Sequence, residues 1–285
     1  MSDLVTKVDE VRRRVDEARG RGLRIGLVPT MGALHTGHLR LMRECRSRAG
    51  FVVASIFVNP TQFGPTEDFT KYPRTLDQDR LACETAGVDL VFAPEPEEIY
   101  PNGPNSSFVE VPALSGILEG ATRLGHFRGV ATVVLKLFEI VRADVAVFGQ
   151  KDYQQQLLIR RMVDDLRVPI EIVSMATVRE PDGLAMSSRN RYLSPGERQS
   201  ATCLVKALSA AKELVGRGER DASRIRQILA ETVESVPGVK LDYAEVADSR
   251  TLARLERLES GCDAVALLAA WVGTTRLIDN AILTE

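Results

Sequence analysis

The sequence predicts an α/β protein built on a doubly wound parallel sheet, followed by a smaller α+β domain. Three observations carry that expectation. Short apolar runs with little polar alternation recur through residues 1–177, the pattern of strands buried on both faces. Between them lie segments with apolar residues every three or four positions, the period of helices that cover a sheet. Beyond that point the alternation gives way to two helical stretches and then three strand-like runs, the order of a separate α+β unit. The expected domains are therefore 1–177, carrying the ligand site, and 178–285, covering it, with the boundary near residues 179–190.

Taken in order, residues 4–18 place Leu4, Val8, Val11 and Val15 among charges and predict an amphipathic helix. Residues 23–28 read as a strand closed by Pro29, and 37–48 as a helix, so the segment between them is a strand-to-helix loop, where α/β sheets bind ligands. Strand 51–58, helix 75–86, strand 89–92, helix 130–141, strand 145–148, helix 153–166 and strand 170–173 continue the alternation. Residues 59–75 and 94–112, rich in Pro, Gly and polar groups, interrupt it as long loops of the kind that carry function. The second domain is expected to hold helices at 195–216 and 221–235 and strands at 239–247, 263–271 and 275–283.

With 37 basic against 39 acidic residues and a net charge of −2, the chain lacks the electropositive footprint of a nucleic-acid binder, and a small ligand is expected instead. Cys45, Cys83, Cys203 and Cys262 lie far apart without a C-x-x-C pair, so they read as reduced thiols rather than a disulfide framework or a zinc cluster. The first twenty residues are strongly charged and no apolar run approaches the roughly 20 residues a membrane span needs. A cytoplasmic protein is expected.

His35-Thr36-Gly37-His38 is the sharpest chemical signal. Two of the three histidines stand three residues apart, on one face of a helix at its start. Gly32 and Gly37 would let phosphates approach the backbone, the helix N-terminus would offer free N–H groups, and the imidazoles would donate to a phosphate chain. The same pair would equally cap a helix without any chemistry. Phe148-Gly149-Gln150-Lys151-Asp152 closes another parallel strand and projects from the same carboxyl edge, with Lys151 placed for phosphate or ribose and Asp152 equally able to act as an N-cap. Of Gln154, Gln155 and Gln156, one is expected to face a pocket and the others to form a polar outer face. Met186-Ser187-Ser188-Arg189 is a hydroxyl-rich loop with one positive charge, suited to gripping a triphosphate, though a plain interdomain turn has a similar composition.

H-T-G-H followed much later by M-S-S-R resembles the HIGH and KMSKS pair of the nucleotidyltransferase superfamily, which includes class I aminoacyl-tRNA synthetases. The finer pattern, PTMGALHTGH at 29–38, VNPTQF at 58–63, FGQKDYQQ at 148–155 and GLAMSSRNRYL at 183–193, resembles the pantoate–β-alanine ligase family, and the four motifs stand in its order along most of the chain. Ala185 occupies the place of the lysine that opens KMSKS, as in that family's version of the loop.

The resemblance implies a Rossmann-like fold of the HIGH nucleotidyltransferase type, with ATP as a substrate, Mg²⁺ bound alongside it and no separate protein metal site. It implies that ATP and pantoate form pantoyl adenylate and pyrophosphate, and that β-alanine then gives pantothenate and AMP. Pro29 and Thr30 would shape the cleft floor. Met31, Gly32, Ala33, Leu34, His35, Thr36, Gly37 and His38 would contact ATP, with His38 as proton donor and His35 steadying the phosphates. Gly149, Asp152 and the backbone of Val178 would meet adenosine, Lys151, Ser187, Ser188 and Arg189 would hold the triphosphate, and Gln150 and Met186 would also contact ATP. Gln62 and Gln155, with Met31 and Phe63 as apolar walls, would form the pantoate site.

Loops 62–74 and 116–128 are plausible lids, with Glu119 and Arg123 as gate or substrate residues and His126 either a loop histidine or a direct participant. A homodimer through the larger domain is implied, with no nucleic-acid or membrane partner. Two other readings compete: a transferase moving AMP onto a phosphate group, where more arginines would be expected than Gln62 and Gln155 supply, and a regulatory module that holds ATP without chemistry.

Overall fold

The computed structural model describes residues 2–284 apart from Thr66, Asp68, Asn105 and Ser260. The chain divides into two compact units: Met1–Gln150 with Gln154–Ala176, and Lys151–Tyr153 with Thr177–Glu285.

The first unit holds strands β1 (Asp3–Val5), β2 (Ile25–Thr30), β3 (Phe51–Ile56), β4 (Leu90–Phe92), β5 (Val145–Gly149) and β6 (Glu171–Met175). Its longer helices are α1 (Val8–Gly20), α2 (Thr36–Arg48), α3 (Leu76–Thr85), α7 (His126–Val141) and α8 (Tyr153–Asp165), with single turns α4 (Pro96–Ile99), α5 (Pro112–Ser115) and α6 (Glu119–Thr122) between α3 and α7. All six strands pair in parallel, in the order β1-β4-β3-β2-β5-β6. The chain runs outward from β2 through β3 to β4, then crosses to β5 and β6 on the other side of β2. The strand order therefore reverses between β2 and β5, the kind of point at whose carboxyl edge open α/β sheets bind ligands.

Side chains alternate across the pleat, so each strand feeds two cores. Val28, Val52, Ala54, Val91, Val145 and Val147 pack with Met42 and Cys45 of α2 and Cys83 of α3. The residues of opposite parity, Ile25, Leu27, Val53, Leu90, Phe92 and Ala146, are equally buried, and α1 and α7 pack together and on β2. Both faces are thus covered, as the apolar strands predict. Gly26 sets the spacing on the α2 side: a Cβ there would lie 2.4 Å from Cys45 Sγ and 2.9 Å from the Ala49 Cβ.

Three elements differ from expectation. Residues 3–5 are a strand, not the start of a helix; Asp3 to Val5 pair with Leu90 to Phe92 at the sheet edge, and the helix begins at Val8. A three-residue edge strand is too short to register as a period. Helix α7 starts at His126 rather than at residue 130, because Gly129 is helical and lets the VNPTQF loop approach: a Cβ there would lie 2.4 Å from the Thr61 carbonyl oxygen. The stretch expected as one helix over 195–216 is two, α9 (Pro195–Ala201) and α10 (Cys203–Gly216), meeting at Thr202.

In the second unit, α11 (Ala222–Glu234) follows α10, and β7 (Val239–Asp248), β8 (Ala264–Val272) and β9 (Thr275–Ile282) form an antiparallel sheet in the order β7-β8-β9. Leu204, Leu208, Ile225 and Leu229 of the helices pack with Val246, Ala266, Leu268 and Val272 of the sheet in one core. All four cysteines are free thiols; burial pushes Cys45 and Cys83 up to about 12, which makes them packing groups rather than nucleophiles. Among the described residues no helix is long and apolar enough to cross a membrane.

Gly26→Val should destabilise the protein by about 1–3 kcal/mol through overpacking between β2 and α2. Urea unfolding of wild type and variant checks it, and equal midpoints would contradict the close packing.

Candidate active site

Helix α2 begins at the carboxyl end of β2, beside the reversal of strand order. Its first turn is closed by the two histidines themselves. His35 is the N-cap, its Nδ1 accepting from the Gly37 amide at 3.1 Å, and His38 Nδ1 accepts from the His35 amide at 3.3 Å, a reciprocal capping box with histidine at both corners. The rings lie 4.1 Å apart between centroids. An imidazole that accepts through Nδ1 carries its proton on Nε2, so both rings are set as Nε2–H donors. Capping and chemistry are not alternatives here; the cap fixes the tautomer.

The free amides expected at this terminus are largely taken. Besides Gly37 and His35, the Gly32 amide donates to Thr30 Oγ1, and those of Ala33 and Leu34 donate to the Asp79 carboxylate. Thr30 in turn donates to the Ser55 carbonyl at 2.7 Å, tying the floor of the loop to β3.

The loop after β3 joins the same edge. Gln62 is 8% exposed; its Oε1 accepts from Asn59 Nδ2 at 3.1 Å and its Nε2 lies 3.0 Å from Met31 Sδ, which links the two loops expected to meet ATP and pantoate. Asn59 also donates to the Gly129 carbonyl and accepts from the Tyr100 hydroxyl. Phe63 packs at a tilt against Phe69 and edge-on against Tyr72, with centroids at 5.3 and 6.1 Å.

His126, 7% exposed, holds the Gln62 backbone. Its Nδ1 lies 2.8 Å from the Gln62 carbonyl and its Nε2 3.0 Å from Arg123 Nη1. A carbonyl can only accept and a guanidinium only donate, so the ring is neutral and protonated on Nδ1, the opposite tautomer to His35 and His38. Burial, then the Arg123 charge, push its pKa down to about 4. Arg123 Nε also reaches both Glu67 oxygens, at 3.1 and 3.2 Å. That pair joins the two loops expected as lids, of which Thr66 and Asp68 lie outside the described residues. Burial opposes ionisation of Glu67, but the Arg123 hydrogen bonds and charge outweigh it and hold the carboxyl below its ordinary range.

Of the three glutamines on α8, the expected polar outer face is absent. Gln154 is buried, bonding the Leu114 and Ile117 carbonyls and the Glu119 amide. Gln156 is buried too and accepts from Ser174 and Arg160. Gln155 is half-buried, and among the described residues no side chain or backbone group claims its amide. Gly149 ends β5, and a Cβ there would sit 4.0 Å from Leu41 of α2.

In the second unit, Lys151 Nζ lies 3.3 Å from Asp152 Oδ1, and the Lys151 carbonyl accepts from Asn280 Nδ2 of β9 at 2.8 Å. The Met186 amide donates to the Val178 carbonyl, pairing those two segments. Ser187 caps a 3₁₀ turn, Ser188–Tyr192, by accepting from the Arg189 amide. Asn190 donates to Glu180 and to the Ala185 carbonyl, and Arg179 grips the buried Asp279 with both nitrogens, at 2.7 and 3.0 Å. The M-S-S-R loop is therefore a braced element rather than a slack connection.

The family model for pantoate-beta-alanine ligase matches residues 3–282. The chain belongs to the pantoate–β-alanine ligase family. It is 53% identical to the pantothenate synthetase of Moorella thermoacetica over 99% of this chain and 98% of that one, and 51% identical to that of Geobacter sulfurreducens over 99% of each. The crystal structure of the Thermus thermophilus pantothenate synthetase superposes with a TM-score of 0.93 at 45% identity, covering 99% of this chain and all of the other. That of the Francisella tularensis pantoate-beta-alanine ligase, complexed with beta-gamma ATP and beta-alanine, superposes with a TM-score of 0.80 at 33% identity, covering 100% of this chain and 99% of that one. Membership places the chain among the pantoate–β-alanine ligases, and its parallel sheet among folds of the HIGH nucleotidyltransferase type.

Asn59, Asp79 and the supporting role of His126 escaped the sequence reading. Asn59 lies inside VNPTQF, which is the signal that points to it; Asp79 looks like any acidic residue in a first helical turn.

His126 gives a pH signature. An unfolded histidine protonates near 6.5 while this one resists to about 4, so its contribution is complete above pH 6.5 and lost as pH falls toward 4. At pH 5 the loss should be about 2 kcal/mol relative to pH 7.5. Urea unfolding at both pH values checks it: His126→Gln should remove most of this difference, and an unchanged difference would remove the assignment.

Proposed function

We propose that the chain condenses (R)-pantoate with β-alanine through an enzyme-bound pantoyl adenylate. A pantoate carboxylate oxygen attacks the α-phosphorus of ATP, the bond from that phosphorus to the bridging oxygen breaks, and pyrophosphate leaves. The β-alanine nitrogen then attacks the acyl carbon, the carbon–oxygen bond breaks, a proton leaves the amine, and AMP departs with the carboxylate oxygen. The observation that carries this reading is the pair of Nε2–H imidazoles at the switch point of a parallel sheet.

Two neutral donors on a rigid helix suit phosphate oxygens whose charge grows as pyrophosphate departs. His38 donates a hydrogen bond from Nε2–H to the departing pyrophosphate, keeping its proton, and His35 steadies the phosphates. Lys151, Ser187, Ser188 and Arg189 hold the triphosphate, with Met186 lining it. Gly149, Gln150, Asp152 and the Val178 backbone contact adenosine, and Pro29 and Thr30 shape the cleft floor of the first unit. Gln62 and Gln155 receive the carboxylate and hydroxyl of pantoate, with Met31 and Phe63 against its methyl groups.

Mg²⁺ accompanies ATP and supplies charge neutralisation at the phosphates. Phosphate oxygens and water would provide most of its ligands, as is usual for Mg²⁺ bound with a nucleotide. The adenylate is prone to hydrolysis, and loops 62–74 and 116–128, joined by Glu67 and Arg123, are suited to excluding water from it. A cytoplasmic homodimer formed through the larger unit completes the reading; sizing tests the oligomer.

A mass-spectrometric time course with Mg²⁺-ATP and pantoate tests the whole. Pantoyl adenylate and pyrophosphate are expected without amine, and pantothenate and AMP with β-alanine; folded protein giving no pantoate-dependent pyrophosphate would turn the reading to another nucleotidyl acceptor. His38→Ala and Lys151→Ala should each slow single-turnover adenylation by about 10²–10⁴-fold. Gln155→Ala should chiefly raise the KM for pantoate, and an unchanged KM would remove Gln155 from that site.

A further inference from the structure

We infer that Asp79, on the first turns of α3, is a positioning residue for adenylation, holding the loop that delivers His35 and His38. The inference rests on the ligase reading above for the identity of the reaction. Asp79 is 3% exposed, and the hydrogen bonds its carboxylate accepts serve one purpose. Oδ2 accepts from the Ala33 amide at 3.0 Å and from Thr75 Oγ1 at 3.1 Å, and Oδ1 accepts from the Leu34 amide at 2.8 Å.

The loop needs such a partner. Gly32 at φ +82° and Ala33 at φ +50° are consecutive left-handed residues, and the second is a conformation that alanine seldom adopts. This turn points the amides of residues 33 and 34 the same way, a concavity that attracts an anion. Asp79 fills it. A Cβ at residue 32 would lie 2.9 Å from Asp79 Oδ2, so glycine there is also what lets the carboxylate approach. Leu34 is followed directly by His35, the N-cap of α2, so the carboxylate fixes the chain one residue before the reciprocal histidine cap begins. These amides serve the loop's shape, and ATP is left to the imidazoles and the second unit.

Asp79→Asn keeps the volume but sets an NH₂ group against one of the two amides. Displacing a catalytic group by about 1 Å can cost about 10²-fold, so single-turnover formation of pantoyl adenylate should fall by about 10–100-fold. Attack of β-alanine on synthetic pantoyl adenylate, which needs no ATP chemistry, should proceed at the wild-type rate. Thr75→Val, which removes only the hydroxyl bond, should give a smaller loss confined to the same half-reaction, and serves if Asp79→Asn folds poorly. Equal losses in both half-reactions, or adenylation at the wild-type rate, would overturn the inference. If the wild-type protein made no adenylate, the ligase reading would fail on its own, and amide hydrogen exchange would still decide the clamp: protection of one of the two amides, Ala33 or Leu34, should be lost in Asp79→Asn, and undiminished protection of both would overturn the role.

Discussion

The reciprocal cap of α2 by His35 and His38 is the constraint around which the first unit is arranged. A helix N-terminus leaves backbone donors to satisfy, and here two imidazoles accept from them through Nδ1. That bond settles at once where the helix starts, how the rings are oriented and which nitrogen carries the proton. The surroundings serve it from both sides. Gly26 lets α2 settle against β2, the Gly32 turn swings the chain across the strand end, and Asp79 holds the two amides that precede the cap.

The side proposed to bind the acid follows a different physical rule. A hydroxy acid with an apolar flank calls for amides beside hydrophobic surface, and amides must be oriented because they donate at one end and accept at the other. Gln62 is oriented by Asn59 at its oxygen and by Met31 at its nitrogen, while its backbone is held by His126. The neutral His126, poised between a carbonyl and a guanidinium, shows the same side chain used in the opposite tautomer to His35 and His38: a buried brace rather than a helix cap.

Much of this architecture is legible in the sequence, because unbroken apolar strands and helical periods are consequences of burial on two faces. The motifs were legible for a related reason: H-T-G-H, VNPTQF, FGQKDYQQ and GLAMSSRN each follow a strand or enter a turn. What escaped are features set by tertiary partners. The strand at Asp3–Val5 exists because β4 offers an edge, and α7 tolerates Gly129 because Thr61 presses on it. Gln154 and Gln156 look like surface amides until the carbonyls of the 114–117 segment and Ser174 claim them. Asp79 matters only because a loop more than forty residues earlier turns two amides toward it.

In the proposed reaction the acyl group passes through an adenylate formed at the histidine-capped helix. Transfer of oxygen from pantoate to AMP tests it most directly. With pantoate carrying ¹⁸O in its carboxylate, a complete reaction with ATP and β-alanine should yield AMP with one ¹⁸O on phosphorus and unlabelled pyrophosphate, because the attacking carboxylate oxygen leaves with the nucleotide. AMP without label, or label recovered in inorganic phosphate, would mean that activation does not occur at the α-phosphorus and would contradict the account.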